Sequence, residues 1–209
     1  PALAIEIVKQ IANGLKAFHK RETLHQDLKP SNIMIRPDNS AVIVDFGSVF
    51  VAGINEIFVP IERDRILGTM NYSDPVFRLG QNTGIKGDMF SLAAITYEIF
   101  THHLPFGEGL ESCEKPQHLQ KLKYIPADRF NPIIPIWFDR ALEKAMTIDP
   151  QQRYETVNQF MQDLTEPNPD FLVPREAAQK SPNALLFWQL MSLVWFMIAL
   201  FTLIAFWLK

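Results

Sequence analysis

Two short polar segments flanking a pair of apolar runs constrain the fold of this chain more than any other feature. Residues 25–32 read HQDLKPSN and residues 45–47 read DFG. Between them, Ile33–Ile35 and Ala41–Val44 surround the turn-like sequence RPDNS, a pattern that predicts a small β-hairpin. Such a hairpin brings Asp45 back beside Asn32, so a carboxylate and an amide meet at one of its ends.

The order and separation of these segments resemble the catalytic and metal-binding loops of eukaryotic-type (Hanks-type) serine/threonine protein kinases, as found in bacteria. The resemblance implies that Asp27 accepts or orients the proton of a substrate hydroxyl. Lys29 would balance charge on the transferring phosphoryl group of ATP and contact the nucleotide. Asn32 and Asp45 would bind the nucleotide through Mg²⁺ and serve as its oxygen ligands. Met34 would lie under the adenine ring, although an ordinary core methionine describes it equally well.

Further along the chain, Gly68-Thr69 with Tyr72 and Pro75 resembles the end of a kinase activation segment. The resemblance implies that Thr69 hydrogen-bonds toward the catalytic residues and completes the catalytic set. Asp88 opens an almost wholly apolar helical run and is expected to cap the backbone of the catalytic loop, the alternative being an ordinary helix N-cap. The predicted fold is mainly α, a protein-kinase C-terminal lobe of helices with one small hairpin.

Two departures from the family pattern affect regulation and packing. Gln26 stands where many kinases have an arginine that pairs with a phosphorylated loop residue, and positions 49–68 hold no Ser, Thr or Tyr. We therefore expect activity that does not depend on phosphorylation of that loop. Val76 stands where the family has a glutamate that pairs with Arg153. Since an unpaired buried arginine is costly, Asp74 is expected to take the place of that glutamate.

Composition changes sharply near the end of the chain. Ala184 to Leu208 holds no charged residue, and as a helix it would reach about 37 Å, more than the ~30 Å hydrocarbon core of a bilayer. The predicted domains are thus a kinase C-lobe over residues 1–165, a proline-containing linker over residues 166–183, and a transmembrane helix over residues 184–208. This organisation predicts a single-pass membrane protein with its kinase lobe in the cytoplasm.

The remaining composition excludes some classes of protein. A formal net charge of −3 with scattered Lys and Arg argues against a nucleic-acid partner. Cys113 is the single cysteine, so no intrachain disulfide is possible. Nothing before the first helix resembles a Gly-rich loop or the strand lysine of a kinase N-lobe. We therefore expect a fragment that is inactive alone. The parent protein would supply the N-lobe, with an upstream phosphatase domain as a further possibility.

The predicted function is ATP-dependent phosphorylation of Ser and Thr hydroxyls in protein substrates, by a membrane-tethered kinase. The alternative is a pseudokinase or membrane-bound scaffold that binds partners without catalysis. Retention of Asp27, Lys29, Asn32 and Asp45 favours the enzyme, because a scaffold needs none of them.

Overall fold

Helices are the main regular secondary structure in the first part of the chain, because many of its apolar residues recur at helical spacing. The structure, a computed structural model, describes residues 2–45, 50–51, 69–172 and 188–197, with backbone alone at 50, 51 and 69. The chain divides into two units, Pro1–Phe171 and Leu172–Lys209. The α-helices of the first unit are α1 (Ala2–His19), α2 (Pro75–Arg78), α3 (Ile85–Thr101), α4 (Pro116–Leu119), α5 (Ile136–Ala145) and α6 (Val157–Thr165).

Helix α3 occupies the centre of the core, and it is buried along most of its length. It contacts both α1 and α5, which fits a helix that is apolar on nearly every face. The helix begins at Ile85, earlier than the Asp88 start that the sequence pattern predicts. Gly84, with a φ of 56°, occupies the N-cap position. Asp88 therefore lies inside the first turn, where its side chain is available to another segment.

Helices α1 and α6, both amphipathic, complete the core of the first unit. Helix α1 buries one face through Val8, Ile11, Ala12 and Leu15. Helix α6 packs against α5, and a reciprocal capping box fixes its start. In that box the side chain of Thr156 accepts a hydrogen bond from the backbone N–H of Gln159, and the Gln159 side chain accepts one from the backbone N–H of Thr156. The first unit extends to Phe171, which packs against the core.

The predicted hairpin is confirmed. Strand β2 (Ile33–Ile35) pairs antiparallel with β3 (Ala41–Ile43) in the register Ile33↔Ile43, Met34↔Val42 and Ile35↔Ala41. Two further short strands, β1 (Thr23–Leu24) and β4 (Phe50–Val51), form a second antiparallel pair. The polar segment 25–32 thus runs from β1 to β2, and backbone pairing holds both of its ends.

The second unit corrects the prediction of a transmembrane helix. The described part of the apolar run is one helix, α7 (residues 188–197), and no helix among the described residues is long and apolar enough to cross a membrane. The fold class is therefore mainly α in the described residues, without the C-terminal transmembrane helix that the uncharged run 184–208 predicts. The predicted single-pass location depended on that helix and stays a prediction.

Candidate functional site

Lys29 and Asn32, in the segment between β1 and β2, both contact Asp27. Lys29 lies in extended backbone and donates from Nζ to Oδ2 of Asp27 at 2.9 Å. Asn32 donates from Nδ2 to the backbone carbonyl of Asp27, also at 2.9 Å. The carboxylate of Asp27 retains some exposure, with 13% of its side-chain surface accessible. The loop therefore presents an oriented carboxylate next to an ammonium group, and both reach solvent.

The hairpin brings Asp45 to the same place. The backbone N–H of Val44 donates to the carbonyl of Asn32 at 2.8 Å, so the ladder of β2 and β3 continues to the residue before Asp45. Asp45 is exposed and has a φ of 67°, in the left-handed region that only a few non-glycine residues adopt. The return of Asp45 to the Asn32 end of the hairpin is what the sequence predicts, whereas its left-handed backbone conformation was not predicted.

Asp88 accepts hydrogen bonds from the backbone of the predicted catalytic loop (residues 25–32), as the sequence analysis expects. It is not the N-cap of α3, a position that Gly84 occupies. Its two carboxylate oxygens accept the backbone N–H groups of His25 at 2.9 Å and Gln26 at 2.7 Å. Its Oδ2 also lies 2.9 Å from Nε2 of His19 at the end of α1. Gln26 has a φ of 62°, so the strained residue next to Asp27 is one whose N–H Asp88 fixes. The contact with His19 was not predicted, and no local pattern links residues so far apart in sequence.

His25 lies under the loop in a fully buried position. Its ring meets Phe18 edge-to-face with centroids 6.0 Å apart. Burial lowers the pKa of His25 below its ordinary value, and the negative charges of Asp88, Asp27 and Asp45 oppose that shift only in part. The neutral imidazole is therefore favoured in the folded chain.

The expected replacement for the missing glutamate is present. Nη1 and Nη2 of Arg153 donate to the two carboxylate oxygens of Asp74 at 2.6 and 3.1 Å, and both side chains are almost completely buried. The guanidinium also donates to the backbone carbonyls of Thr147, Lys86 and Ile148. The bidentate pair confirms that Asp74 substitutes from two residues earlier in the chain.

The segment that begins at Thr69 is fixed by contacts that sequence reasoning missed. Tyr72 donates its hydroxyl to Glu98 at 2.7 Å, and burial together with that carboxylate raises the pKa of Tyr72. Asn71 donates from Nδ2 to Oε1 of Glu111 at 2.7 Å. Thr69 starts a short 3-10 helix, while its predicted side-chain contact with the catalytic loop lies outside the described side chains.

Among the other residues singled out in the sequence, some are described by the structure and some are not. Met34 projects from β2 with 55% of its surface exposed, so the core-methionine alternative is wrong. Phe46 and Gly47 lie outside the described residues.

The donor set suits a hard cation such as Mg²⁺. Asn32 donates a hydrogen bond from its amide nitrogen to the backbone carbonyl of Asp27. Its amide oxygen is therefore the atom that could act as a metal ligand. Asp45, next to it across the hairpin, supplies carboxylate oxygens. In the described part of the chain, no group of three or more His, Cys, Asp or Glu side chains is arranged to hold a metal. Mg²⁺ is usually bound by one or two protein ligands together with phosphate oxygens and water, and Asn32 and Asp45 are the two residues predicted to serve it here.

Comparison with known proteins agrees with this geometry. Residues 1–170 match the protein kinase domain, and the chain belongs to that family. It is 30% identical over 164 residues to serine/threonine-protein kinase PknB of Mycobacterium leprae, covering 78% of this chain and 26% of that protein. It is 30% identical over 165 residues to serine/threonine-protein kinase PrkC of Bacillus subtilis, covering 78% and 25%.

A probable serine/threonine-protein kinase of Clostridium perfringens is 29% identical over 181 residues, covering 87% of this chain and 24% of that protein. The chain thus spans about a quarter of the length of the curated relatives it matches, and those relatives are bacterial serine/threonine protein kinases.

Proposed function

We propose that the protein containing this chain transfers the γ-phosphoryl group of ATP to Ser or Thr hydroxyls of protein substrates. The observation that carries the proposal is the loop in which Lys29 and Asn32 both contact Asp27 while Asp88 accepts hydrogen bonds from the loop backbone. Phosphoryl transfer asks a protein mainly for alignment and charge stabilisation. A loop with these three groups, held by a buried carboxylate, supplies both.

Each residue has a distinct part in the proposed reaction. Asp27 orients the substrate hydroxyl and accepts its proton as the hydroxyl oxygen bonds to the γ-phosphorus and the bond to the ADP oxygen breaks. Lys29 stabilises negative charge on the phosphoryl oxygens. Asn32 and Asp45 would hold Mg²⁺, which when bound neutralises phosphate charge and orients the nucleotide.

Two further roles belong to this proposal. Met34, exposed on β2, would offer apolar contact to the adenine ring. Thr69 would help to place the substrate hydroxyl, since the segment that it begins is fixed by the Tyr72–Glu98 and Asn71–Glu111 hydrogen bonds. Protein substrates, ATP and Mg²⁺ are the partners that this activity requires.

The decisive experiment measures transfer of label from [γ-³²P]ATP to a Ser/Thr peptide library by the protein expressed from its whole open reading frame. Asp27→Asn should lower the rate at least about 100-fold, since the general base is lost while its shape is kept. Asp128→Asn, at an exposed aspartate of a 3-10 turn, is the matched control and should keep the rate. Equal, negligible transfer by wild type and Asp27→Asn would contradict the proposal and favour a binding scaffold.

A further inference from the structure

Asp88, whose carboxylate accepts the backbone of the catalytic loop, has a third hydrogen-bond partner at the end of α1. Its oxygens accept the N–H groups of His25 and Gln26. Oδ2 also lies 2.9 Å from Nε2 of His19, the last residue of that helix. A carboxylate that accepts at both oxygens leaves the donor role to the imidazole. His19 therefore donates an N–H to the group that holds the loop.

The burial of Asp88 makes this third contact consequential. Its side chain is 1% exposed, whereas that of His19 is 11% exposed. A buried carboxylate is costly unless hydrogen bonds and opposite charge compensate it. In the described part of the chain, Asp88 forms no ion pair with a Lys or Arg. His19 is the side chain that hydrogen-bonds to Asp88 among those residues, so it carries the side-chain part of that compensation.

Helix α1 holds His19 in a fixed position beside the loop. The helix packs against α3 and buries one of its faces in the core. Phe18, the residue before His19, meets the ring of His25 edge-to-face with centroids 6.0 Å apart. Two consecutive residues at the end of α1 therefore contact the catalytic loop or the carboxylate that holds it.

A rotation of the Asp88 carboxylate would be transmitted to Asp27 through the loop backbone. Oδ2 serves both His19 and the N–H of His25, while Oδ1 serves the N–H of Gln26. Gln26 has a φ of 62°, which few non-glycine residues adopt unless neighbouring contacts hold them there. Asp27 follows directly, so a displaced acceptor would change the direction of its side chain. Small misplacements of a catalytic group are costly in rate.

We infer that His19 is a positioning residue for the proposed phosphoryl transfer. By donating to Asp88 it fixes the carboxylate that holds the backbone immediately before Asp27. The inference rests on the proposed kinase function. His19 acts through Asp88 and contacts neither the substrate nor the nucleotide, so its loss should lower kcat and leave KM almost unchanged.

Substitutions at His19 separate hydrogen-bond donation from packing. His19→Phe keeps a ring of similar shape without a donor, His19→Asn is too short to place its amide at Nε2, and His19→Gln can place one there. Transfer of labelled phosphate from ATP to a Ser/Thr peptide is measured with the protein from its whole open reading frame. His19→Phe and His19→Asn should lower kcat about tenfold with KM changed less than about twofold. His19→Gln should regain most of kcat.

Thr156→Ala is the control for a general loss of stability. It removes the capping box of α6 and destabilises the fold without touching the catalytic loop. At a temperature where circular dichroism shows each variant folded, Thr156→Ala should keep the wild-type kcat. A kcat as low as that of His19→Phe would show that the effect at His19 is one of stability, and would overturn the inference.

A double-mutant cycle tests whether His19 acts through Asp88. Asp88→Asn lowers kcat by itself, because one loop N–H loses its acceptor. When His19→Phe is added to Asp88→Asn, kcat should fall by less than about a further twofold, since the two side chains act as one unit. Two effects that multiply in full, or a His19→Gln variant as slow as His19→Phe, would overturn the inference and leave the kinase function standing.

Hydrogen exchange of the same proteins gives a readout that needs no activity. Amides of the segment 25–32, read by mass spectrometry, should exchange faster in His19→Phe and His19→Asn than in His19→Gln and the wild type. The middle of α3 should stay slow in all of them. If no peptide is phosphorylated, the kinase function fails and exchange alone decides whether His19 positions the loop. Unchanged exchange in both slow variants would then overturn the inference as well.

Discussion

At the scale of single residues, the pair between Asp74 and Arg153 shows how a buried charge is kept when its usual partner is missing. Both side chains are almost fully buried, and the guanidinium also lies 5.1 Å from the ring centroid of Phe90. A buried pair is weak evidence for net stability, but loss of one partner leaves an uncompensated charge. The geometry thus makes each member dependent on the other.

Arg153→Met should lower the free energy of unfolding by about 3–5 kcal/mol, because Asp74 is left charged and buried. The double variant Asp74→Leu with Arg153→Met should recover part of that loss. Urea denaturation followed by circular dichroism measures both. Glu155→Gln, which breaks the exposed pair with Lys86, serves as the control and should cost less than about 1 kcal/mol. A double variant no more stable than Arg153→Met would show that the cost comes from packing and not from charge.

His25 should make stability depend on pH. Burial holds the pKa of His25 below its ordinary value of 6.5, so the unfolded chain binds more protons below that pH. The free energy of unfolding should therefore be retained above about pH 6.5 and should fall as the pH drops below it. Urea denaturation at about pH 7.5 and about pH 5.5 should show a smaller loss in His25→Phe than in the wild type. His102→Asn, at an exposed histidine in a left-handed turn, should show the wild-type loss.

At the scale of elements, helix α3 positions both parts of the candidate site. Asp88 in its first turn accepts the backbone of the catalytic loop, and Glu98 near its other end accepts the hydroxyl of Tyr72. Because the helix is buried along most of its length, its two ends keep a fixed separation. One rigid element thereby holds the catalytic loop and the proposed substrate-binding segment in register.

Asp88→Ala should release the catalytic loop more than it disturbs the core. Two backbone N–H groups lose their acceptor, at about 1–3 kcal/mol each where they stay buried. Hydrogen exchange read by NMR should show faster exchange at His25 and Gln26, with slow exchange kept in the middle of α3. Asp88→Asn keeps one acceptor and should give an intermediate rate. Uniformly faster exchange throughout α3 would mean that Asp88 supports the whole helix and has no particular role at the loop.

The sequence predicted the elements whose signals are local, and missed the contacts that join distant segments. The hairpin and the return of Asp45 toward Asn32 follow from spacing within a short stretch. Asp74 was predicted because a buried Arg153 requires an anion. The pairing of Asn71 with Glu111 spans 40 positions and has no periodic signature. The transmembrane helix predicted for the apolar run 184–208 has no counterpart among the described residues, because a lack of charge alone does not specify a membrane-spanning helix.

At the scale of the whole molecule, the uncharged side chain of Gln26 is the feature on which our prediction about regulation rests. A phosphorylated loop is usually held by an arginine beside the catalytic aspartate, and Gln26 offers none. Here the backbone N–H of Gln26 donates to Oδ1 of Asp88 at 2.7 Å. Strand β1, which precedes the hairpin, pairs with β4, which follows it. These contacts hold the loop through its own backbone, and for this reason we expect it to be ordered without a phosphate.

Activity of the complete protein should accordingly be independent of phosphate on residues 48–73, a stretch with no Ser, Thr or Tyr between Val49 and Gly68. Phosphatase treatment of active protein should change its rate by less than about twofold, because no charged anchor for a phosphate is lost. Phosphosite mapping by mass spectrometry identifies the phosphates removed. Gln26→Arg should retain the same insensitivity, since an anchor without a phosphorylated partner orders nothing new. An essential phosphate on Ser48, Thr69, Tyr72 or Ser73 would refute this account of the site.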